Sequence, residues 1–401
     1  MRSTLLSLCL LPALLIGCSD VRVIPARSHS YQTGEPSRPV AVRSDRADTE
    51  AFPPGESDGY RPPARVAVLL PMSGALAPAG ASVRDGFLAS YYAENRRRPV
   101  VKFYDSQGSA SGAQAAAAKA LADGAQMIVG PLTRDEVSAV AAQADHGPPM
   151  ISLNRGAQPP SRGSTSFALL PDEEGAAAAN RLLDRGLASV LVFSNHTDNA
   201  QRAVAAFRDS LRKRGGSIAL DATVPDTAPD LNAQLTALLA SPAPPKAAFL
   251  AMDAAQARAL VAQLKLSPAA ALPRIATSQI LSAANARVDV ELDGIEYPEL
   301  PWLLNQVSDL PEAATLGRTL SSARGPAQRL FAFGADAWKL VAYYERLYNE
   351  PAFSVRGATG ELRIDVNGPV QRIPAWAVFS GGRGRASYEA GRAADVDQPA
   401  H

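Results

Sequence analysis

The sequence predicts an α/β protein whose parallel sheets are divided between two lobes. Three observations support that expectation. Short and almost wholly apolar runs such as Val66-Ala67-Val68-Leu69-Leu70 have the pattern of strands buried on both faces of a parallel sheet. Helical stretches alternate with these runs, which is repeated βαβ and demands right-handed crossovers. The alternation continues for too many strands to fit one sheet of ordinary size, so two lobes are the economical arrangement.

The elements follow in order. Strands are expected over 66–70, 100–104, 127–129 and 150–153, and helices over 110–122 and 133–144. Gly124 stops the first of these helices, and Thr133 with Glu136 three residues on forms a capping box for the second. A second series opens on a helix capped by Asp172, with Glu173 and Glu174 in its first turn and Gly186 closing it. Strands over 189–193, 217–224, 247–252 and 274–277 then alternate with helices over 199–214, 231–239 and 254–266. A long helix is expected over 330–348, then a hairpin around Asn367-Gly368 and a strand over 375–379.

Composition narrows the function. With 46% apolar and 20% charged residues, the chain reads as an ordinary globular protein. Its 40 Lys and Arg balance 39 Asp and Glu, which argues against nucleic acid or an anionic membrane surface as main partner.

Both cysteines, Cys9 and Cys18, lie in the N-terminal segment. That segment has Arg2 at its start, an apolar core from Leu5 to Ile16, and Leu15-Ile16-Gly17-Cys18 at its end. The apolar stretch is too short to span a bilayer and fits a secretory signal over 1–17. Leu at −3, Gly at −1 and Cys at +1 resemble the lipobox of bacterial lipoproteins, which implies cleavage and lipidation at Cys18. Acyl chains at about 0.8 kcal/mol per buried CH₂ would hold such a residue in a membrane effectively permanently. By resemblance to lipoprotein sorting rules, Ser19 favours the outer membrane, with the protein facing the periplasm.

Residues 18–63 then read as the lipidated Cys and a Pro-rich disordered tether without a sustained apolar period. Such a tether would reach on the order of 150 Å fully extended and roughly 40 Å as a flexible coil. The body is expected to divide into lobe 1 (64–171), lobe 2 (172–278), lobe 1 again (279–350) and a return to lobe 2 (351–385). A disordered tail over 386–401 completes the chain, and Gly381-Gly382-Arg383-Gly384-Arg385 reads as a frayed end.

Val68-Leu69-Leu70-Pro71-Met72-Ser73-Gly74, Gly130-Pro131-Leu132 and Gly357-Ala358-Thr359-Gly360-Glu361-Leu362 resemble type I periplasmic binding proteins, which implies the type I periplasmic binding protein fold: two Rossmann-like lobes with parallel sheets and a cleft between the lobes. Asp85-Gly86-Phe87-Leu88-Ala89, Leu170-Pro171-Asp172-Glu173-Glu174, Pro301-Trp302-Leu303-Leu304 and Phe333-Gly334-Ala335-Asp336-Ala337-Trp338 narrow the match. Together they resemble the C-terminal domain of the LpoA family, outer-membrane lipoprotein activators of penicillin-binding protein 1A. The resemblance covers residues 65–379. It implies a non-enzymatic regulator of peptidoglycan synthesis that docks on a class A penicillin-binding protein and stimulates its transpeptidase. Longer family members place a helical-repeat domain between lipid and binding fold, and residues 19–63 show no repeat period. The activity would then reside in the binding-fold domain alone.

Catalytic chemistry is poorly supported. Ser210-Leu211-Arg212-Lys213 and Ser152-Leu153-Asn154 fit two penicillin-recognition motifs, but in the wrong order and without Lys-Thr-Gly or Lys-Ser-Gly. In Gly108-Ser109-Ala110-Ser111-Gly112 an alanine stands where a nucleophilic serine would be needed. His29, His146, His196 and His401 are scattered and have no cysteine to join them in a metal site. No enzyme activity, cofactor or metal is expected.

The remaining candidate site is the cleft, because ligands of doubly wound sheets gather beyond the carboxyl ends of strands. Ser73, Gly74, Asp105, Asn154, Asn195 and Asp253 occupy those positions. In a receptor for an amino acid or other small polar ligand, Ser73 would bind a carboxylate and Asp253 an ammonium. The same residues serve equally as a turn and a helix N-cap. Trp302 is expected in the core rather than on a docking surface.

Overall fold

A computed structural model describes residues 55–142, 147–225, 230–282, 286–365 and 368–387. Cys18, most of the tether and the chain beyond Ser387 lie outside them. The described chain enters the core at Tyr60, which is 4% exposed and packs edge-on against Tyr343. Its hydroxyl donates to the Arg97 carbonyl at 2.8 Å, and the next N–H, of Arg61, donates to the Ala342 carbonyl at 2.8 Å. The ordered body therefore begins before the tether boundary expected at residue 63. Asp58, bonded to Arg96 at 2.8 Å and to the Tyr343 hydroxyl at 3.0 Å, and Arg61, paired with Glu345 at 2.6 Å, fasten the segment further.

The first lobe contains β1 (Arg65–Leu70), α1 (Ala77–Ala93), β2 (Val100–Asp105), α2 (Ala110–Ala122), β3 (Met127–Val129), α3 (Arg134–Ala141), β4 (Met150–Ser152) and β5 (Thr165–Ser166). The strands form the parallel sheet β2-β1-β3-β4-β5. β1 is central, and every residue from Val66 to Leu70 is buried, which is why its run is apolar without alternation. Thr133 and Glu136 form the capping box the sequence predicts for α3.

The chain crosses over into α4 (Pro171–Asp184), β6 (Ser189–Ser194), α5 (Asp198–Lys213), β7 (Ser217–Thr223), α6 (Asn232–Leu239), β8 (Ala247–Ala251), α7 (Ala254–Lys265), β9 (Arg274–Ala276), the short α8 (Ala286–Asp289) and β10 (Ile295–Glu299). It continues through α9 (Ala313–Thr319), α10 (Ala327–Asn349), β11 (Val355–Arg356), β12 (Glu361–Ile364), β13 (Val370–Ile373), β14 (Ala375–Ser380) and β15 (Arg383–Ala386). The second sheet has the order β15-β14-β10-β9-β8-β6-β7, and β11-β12-β13 make a small antiparallel sheet.

Several expectations change. α4 begins at Pro171 with Leu170 in the cap position, so Asp172 is a first-turn residue that ion-pairs with Arg202 at 2.5 Å. β10, expected in the first lobe, pairs with β9 and β14 in the second sheet. Its Ile295 and Tyr297 sit in the second lobe's core, which selects that sheet. β11–β13, expected in the second lobe, pack against the first, because Leu362, Ile364 and Val370 join its core. The supposed frayed end is ordered: β15 pairs with β14 through a turn at Gly381 and Gly382, both at positive φ. Their N–H groups donate to the Asp293 carboxylate at 2.9 Å each.

α10 is the long helix of the first lobe and packs along α1. The approach is close enough that a Cβ on Gly334 would overlap the Val83 carbonyl oxygen, and one on Gly86 the Phe331 carbonyl oxygen. Buried Asp336 on α10 accepts from Ala358 N–H at 2.5 Å, Thr359 N–H at 2.7 Å and the Thr359 hydroxyl at 2.5 Å, tying the β11–β12 turn to the helix. Trp302, 1% exposed and stacked on Phe331 at 5.0 Å, is a core residue as expected.

Candidate functional site

The six candidate residues sit at or just past strand carboxyl ends, and their polar side chains bond within their own loops or to the segments beside them. Asp105, at the end of β2, accepts from the N–H groups of Met72 at 2.9 Å and Gln107 at 2.8 Å. The Ser73 hydroxyl bonded to Asp105 holds its carboxyl below the usual carboxylate range, helped by these backbone donors. Gly74 follows at φ 76°, so Ser73, Gly74 and Asp105 form one unit that shapes the β1–α1 turn. Asn154 donates to the Leu132 carbonyl at 3.1 Å and accepts from Arg155 N–H at 2.9 Å.

On the second lobe, Asn195 is buried and reaches the Gln256 amide at 2.8 Å while accepting from the Thr197 hydroxyl at 2.6 Å. Asp253 caps α7, accepting from Ala255 N–H at 2.9 Å and Gln256 N–H at 3.1 Å. The fold thus joins Ser73 to Asp105, and Asn195 to the helix that Asp253 caps. His196 is exposed, and His146 lies outside the described residues. Among the described residues no group of His, Cys, Asp or Glu could hold a metal, and no helix is long and apolar enough to cross a membrane.

The richest polar chemistry lies elsewhere, where the crossover segments meet. A cavity of about 1160 Å³ runs between α4, α5 and the β13–β14 junction. At its wall Glu173 stands between Arg372 at 3.5 Å and Arg155 at 3.7 Å. Burial pushes the Glu173 carboxyl up to about 7, against the pull of Arg372 and Arg155. Nearby, Glu174 accepts from the Ser278 N–H at 2.8 Å and hydroxyl at 2.6 Å, and Arg329 on α10 bonds Glu299 at 2.7 Å. Burial raises the Glu299 carboxyl as well. The Glu173 pairs with Arg155 and Arg372 and the Glu299 pair with Arg329 join the first lobe to the second.

Sequence reasoning passed over this cluster. Glu173 and Glu174 read as complements to the dipole of α4, which they also are. The available signal was in β13, where Val370 and Arg372 face inward while Gln371 and Ile373 are exposed. An arginine at a core-facing position of an alternating strand requires a buried partner.

Residues 59–382 match the family model described as "LppC putative lipoprotein". The chain belongs to the LppC lipoprotein family. Among curated relatives of this LppC chain is the penicillin-binding protein activator LpoA of Mannheimia succiniciproducens, 30% identical over 329 residues, spanning 79% of this chain and 54% of that protein. The chain spans about half the length of the curated relatives it matches. The solved C-domain of LpoA (YraM) from Haemophilus influenzae, a regulator of PBP1A, superposes with a TM-score of 0.68 at 23% identity. That match covers 81% of this chain and 100% of the domain. A Chromobacterium violaceum protein described as a "putative branched-chain amino acid ABC transporter" matches with a TM-score of 0.62 at 24% identity, covering 79% and 100%. The chain therefore has the two-lobed binding-protein fold that its sequence predicts.

Proposed function

We propose that this protein is an outer-membrane lipoprotein that faces the periplasm, docks on a class A penicillin-binding protein of the 1A type, and stimulates its peptidoglycan transpeptidase without catalysing a reaction itself. The observation that carries the reading is the family membership, with LpoA activators among the relatives and an LpoA C-domain covered over its whole length. The domain would act by binding the enzyme's active conformation more tightly than its idle one, since only differential affinity shifts such an equilibrium. A lipid on Cys18 and the residues up to 54 would confine the domain near the enzyme and raise its effective concentration.

The receptor reading has less support, because the Ser73 hydroxyl bonds Asp105 and the Asp253 carboxylate caps α7. Capture of the class A enzyme from envelope extract by the immobilised chain, competed off by free chain, is the expected result. Tight binding of an amino acid in calorimetry, together with no enzyme capture, would replace the activator reading with the receptor one.

A further inference from the structure

The cavity between α4, α5 and the β13–β14 junction has a charge arrangement that the described residues leave incomplete. Arg155 and Arg372 share the single carboxylate of Glu173, at 3.7 and 3.5 Å. Arg372 is 6% exposed, and its Nε has no hydrogen-bond partner. Of the five guanidinium donors, Nη1 alone is bonded among the described residues, to the Thr359 carbonyl at 3.0 Å. Arg356 lines the same cavity with an exposed side chain that has neither ion pair nor hydrogen bond among the described residues. Asp184 on the cavity wall is matched by Arg214, and Asp172 by Arg202. Asp209 is matched by Lys213 and Arg181 by Glu296, so among the described residues the uncompensated charge is positive. Burial, which raises the Glu173 carboxyl, weakens the one anion that offsets Arg155 and Arg372.

At about 1160 Å³ the cavity lies near the upper end of the roughly 300–1,000 Å³ of small-molecule pockets and is large enough for a short peptide, and the amides of Asn180, Asn305 and Gln371 line it beside the arginines. Those dimensions and donors suit a length of polypeptide. Guanidinium groups bind carboxylates through charge-assisted, often bidentate hydrogen bonds.

We propose that this cavity is the groove in which an acidic segment of the partner enzyme docks, its carboxylates completing the charge of Arg155, Arg356 and Arg372. This deepens the docking reading above and rests on it. Rim charges such as Arg155 and Arg356 govern the salt dependence and on-rate of association.

The test measures affinity of the full chain for the periplasmic part of its class A penicillin-binding protein at low and high salt. The variants are the double charge reversal Arg155→Glu/Arg356→Glu and, as control, Arg134→Glu on α3. The double variant is expected to bind about tenfold more weakly at low salt with a flattened salt dependence, while the control stays within about twofold. Should the reversal lower thermal stability, the neutral pair Arg155→Gln/Arg356→Gln carries the same comparison with a smaller expected loss. Wild-type affinity and salt slope in both double variants would overturn the groove and leave the docking reading standing. No binding by the wild-type chain would overturn both. A chain ending at Ser387 that binds tenfold more tightly than the full chain would show that residues 388–401, with Glu389, Asp395 and Asp397, occupy the groove, overturning the partner assignment.

Discussion

Trp302→Ala separates a core role from a docking role for the most distinctive residue in the family-like segment. The indole is 1% exposed, stacks on Phe331 at 5.0 Å and donates through Nε1 to the Pro311 carbonyl at 2.9 Å. Leu300, Leu310, Ala313 and Ala323 belong to the same cluster. Truncating a buried tryptophan costs about 3–5 kcal/mol through lost burial and the cavity left behind. The orphaned Pro311 carbonyl adds about 1 kcal/mol, for roughly 5 in all. At about 2 °C per kcal/mol for a domain of this size, thermal unfolding should shift down by about 10 °C. Binding of the penicillin-binding protein, measured well below the variant's midpoint, should stay within about twofold of wild type. An unchanged midpoint with lost binding would refute the reasoning and place Trp302 at the interface.

Gly334→Ala should destabilise by about 3 kcal/mol in urea unfolding, because the new methyl meets a backbone carbonyl that cannot swing aside. Gly147→Ala, whose Cβ meets no atom within 4 Å among the described residues, should be close to neutral in the same assay. Glu173 predicts a pH signature. Its carboxyl is raised to about 7 in the native protein from an ordinary value near 4.5, so the folded state binds more protons than the unfolded state between those values. Its contribution to stability therefore falls as pH rises from about 4.5 to about 7, by on the order of 3 kcal/mol, and is level above that. Wild type minus Glu173→Gln should show that slope in chemical denaturation, and a flat difference would mean the carboxyl titrates normally. Asp253→Ala should cost about 1 kcal/mol through the lost α7 cap and leave enzyme stimulation intact. Lost stimulation in a folded variant would instead make it a ligand residue.

The strands were legible in the sequence where burial on both faces wrote an unbroken apolar run, as in Val66–Leu70, and helix starts were legible where caps were chemical, as at Thr133. Sheet membership was not. β10 joins the second sheet because Ile295 and Tyr297 fit that core, and nothing local in the sequence distinguishes one apolar core from another. β5 has two residues and so offers no period to read. Tyr60 lies beside prolines that read as tether, and only a partner far along the chain, Tyr343, reveals its burial. At the candidate site, strand order allowed the residues beyond the carboxyl ends to be named, from Ser73 to Asp253. Their hydrogen bonds depend on side chains from neighbouring loops, as with Ser73 and Asp105. The Glu173–Arg372 pair joins residues far apart in sequence, and only the inward position of Arg372 in an alternating strand hinted at it.

The central claim is that this domain activates a peptidoglycan synthase by binding it. Its most direct test is glycan-strand crosslinking by the purified class A penicillin-binding protein, with lipid II as substrate and the lipid-free chain titrated to saturation. The account predicts a saturable rise in the crosslinked fraction, with its midpoint at the measured binding affinity. An unchanged crosslinked fraction at saturating, binding-competent concentrations would contradict it.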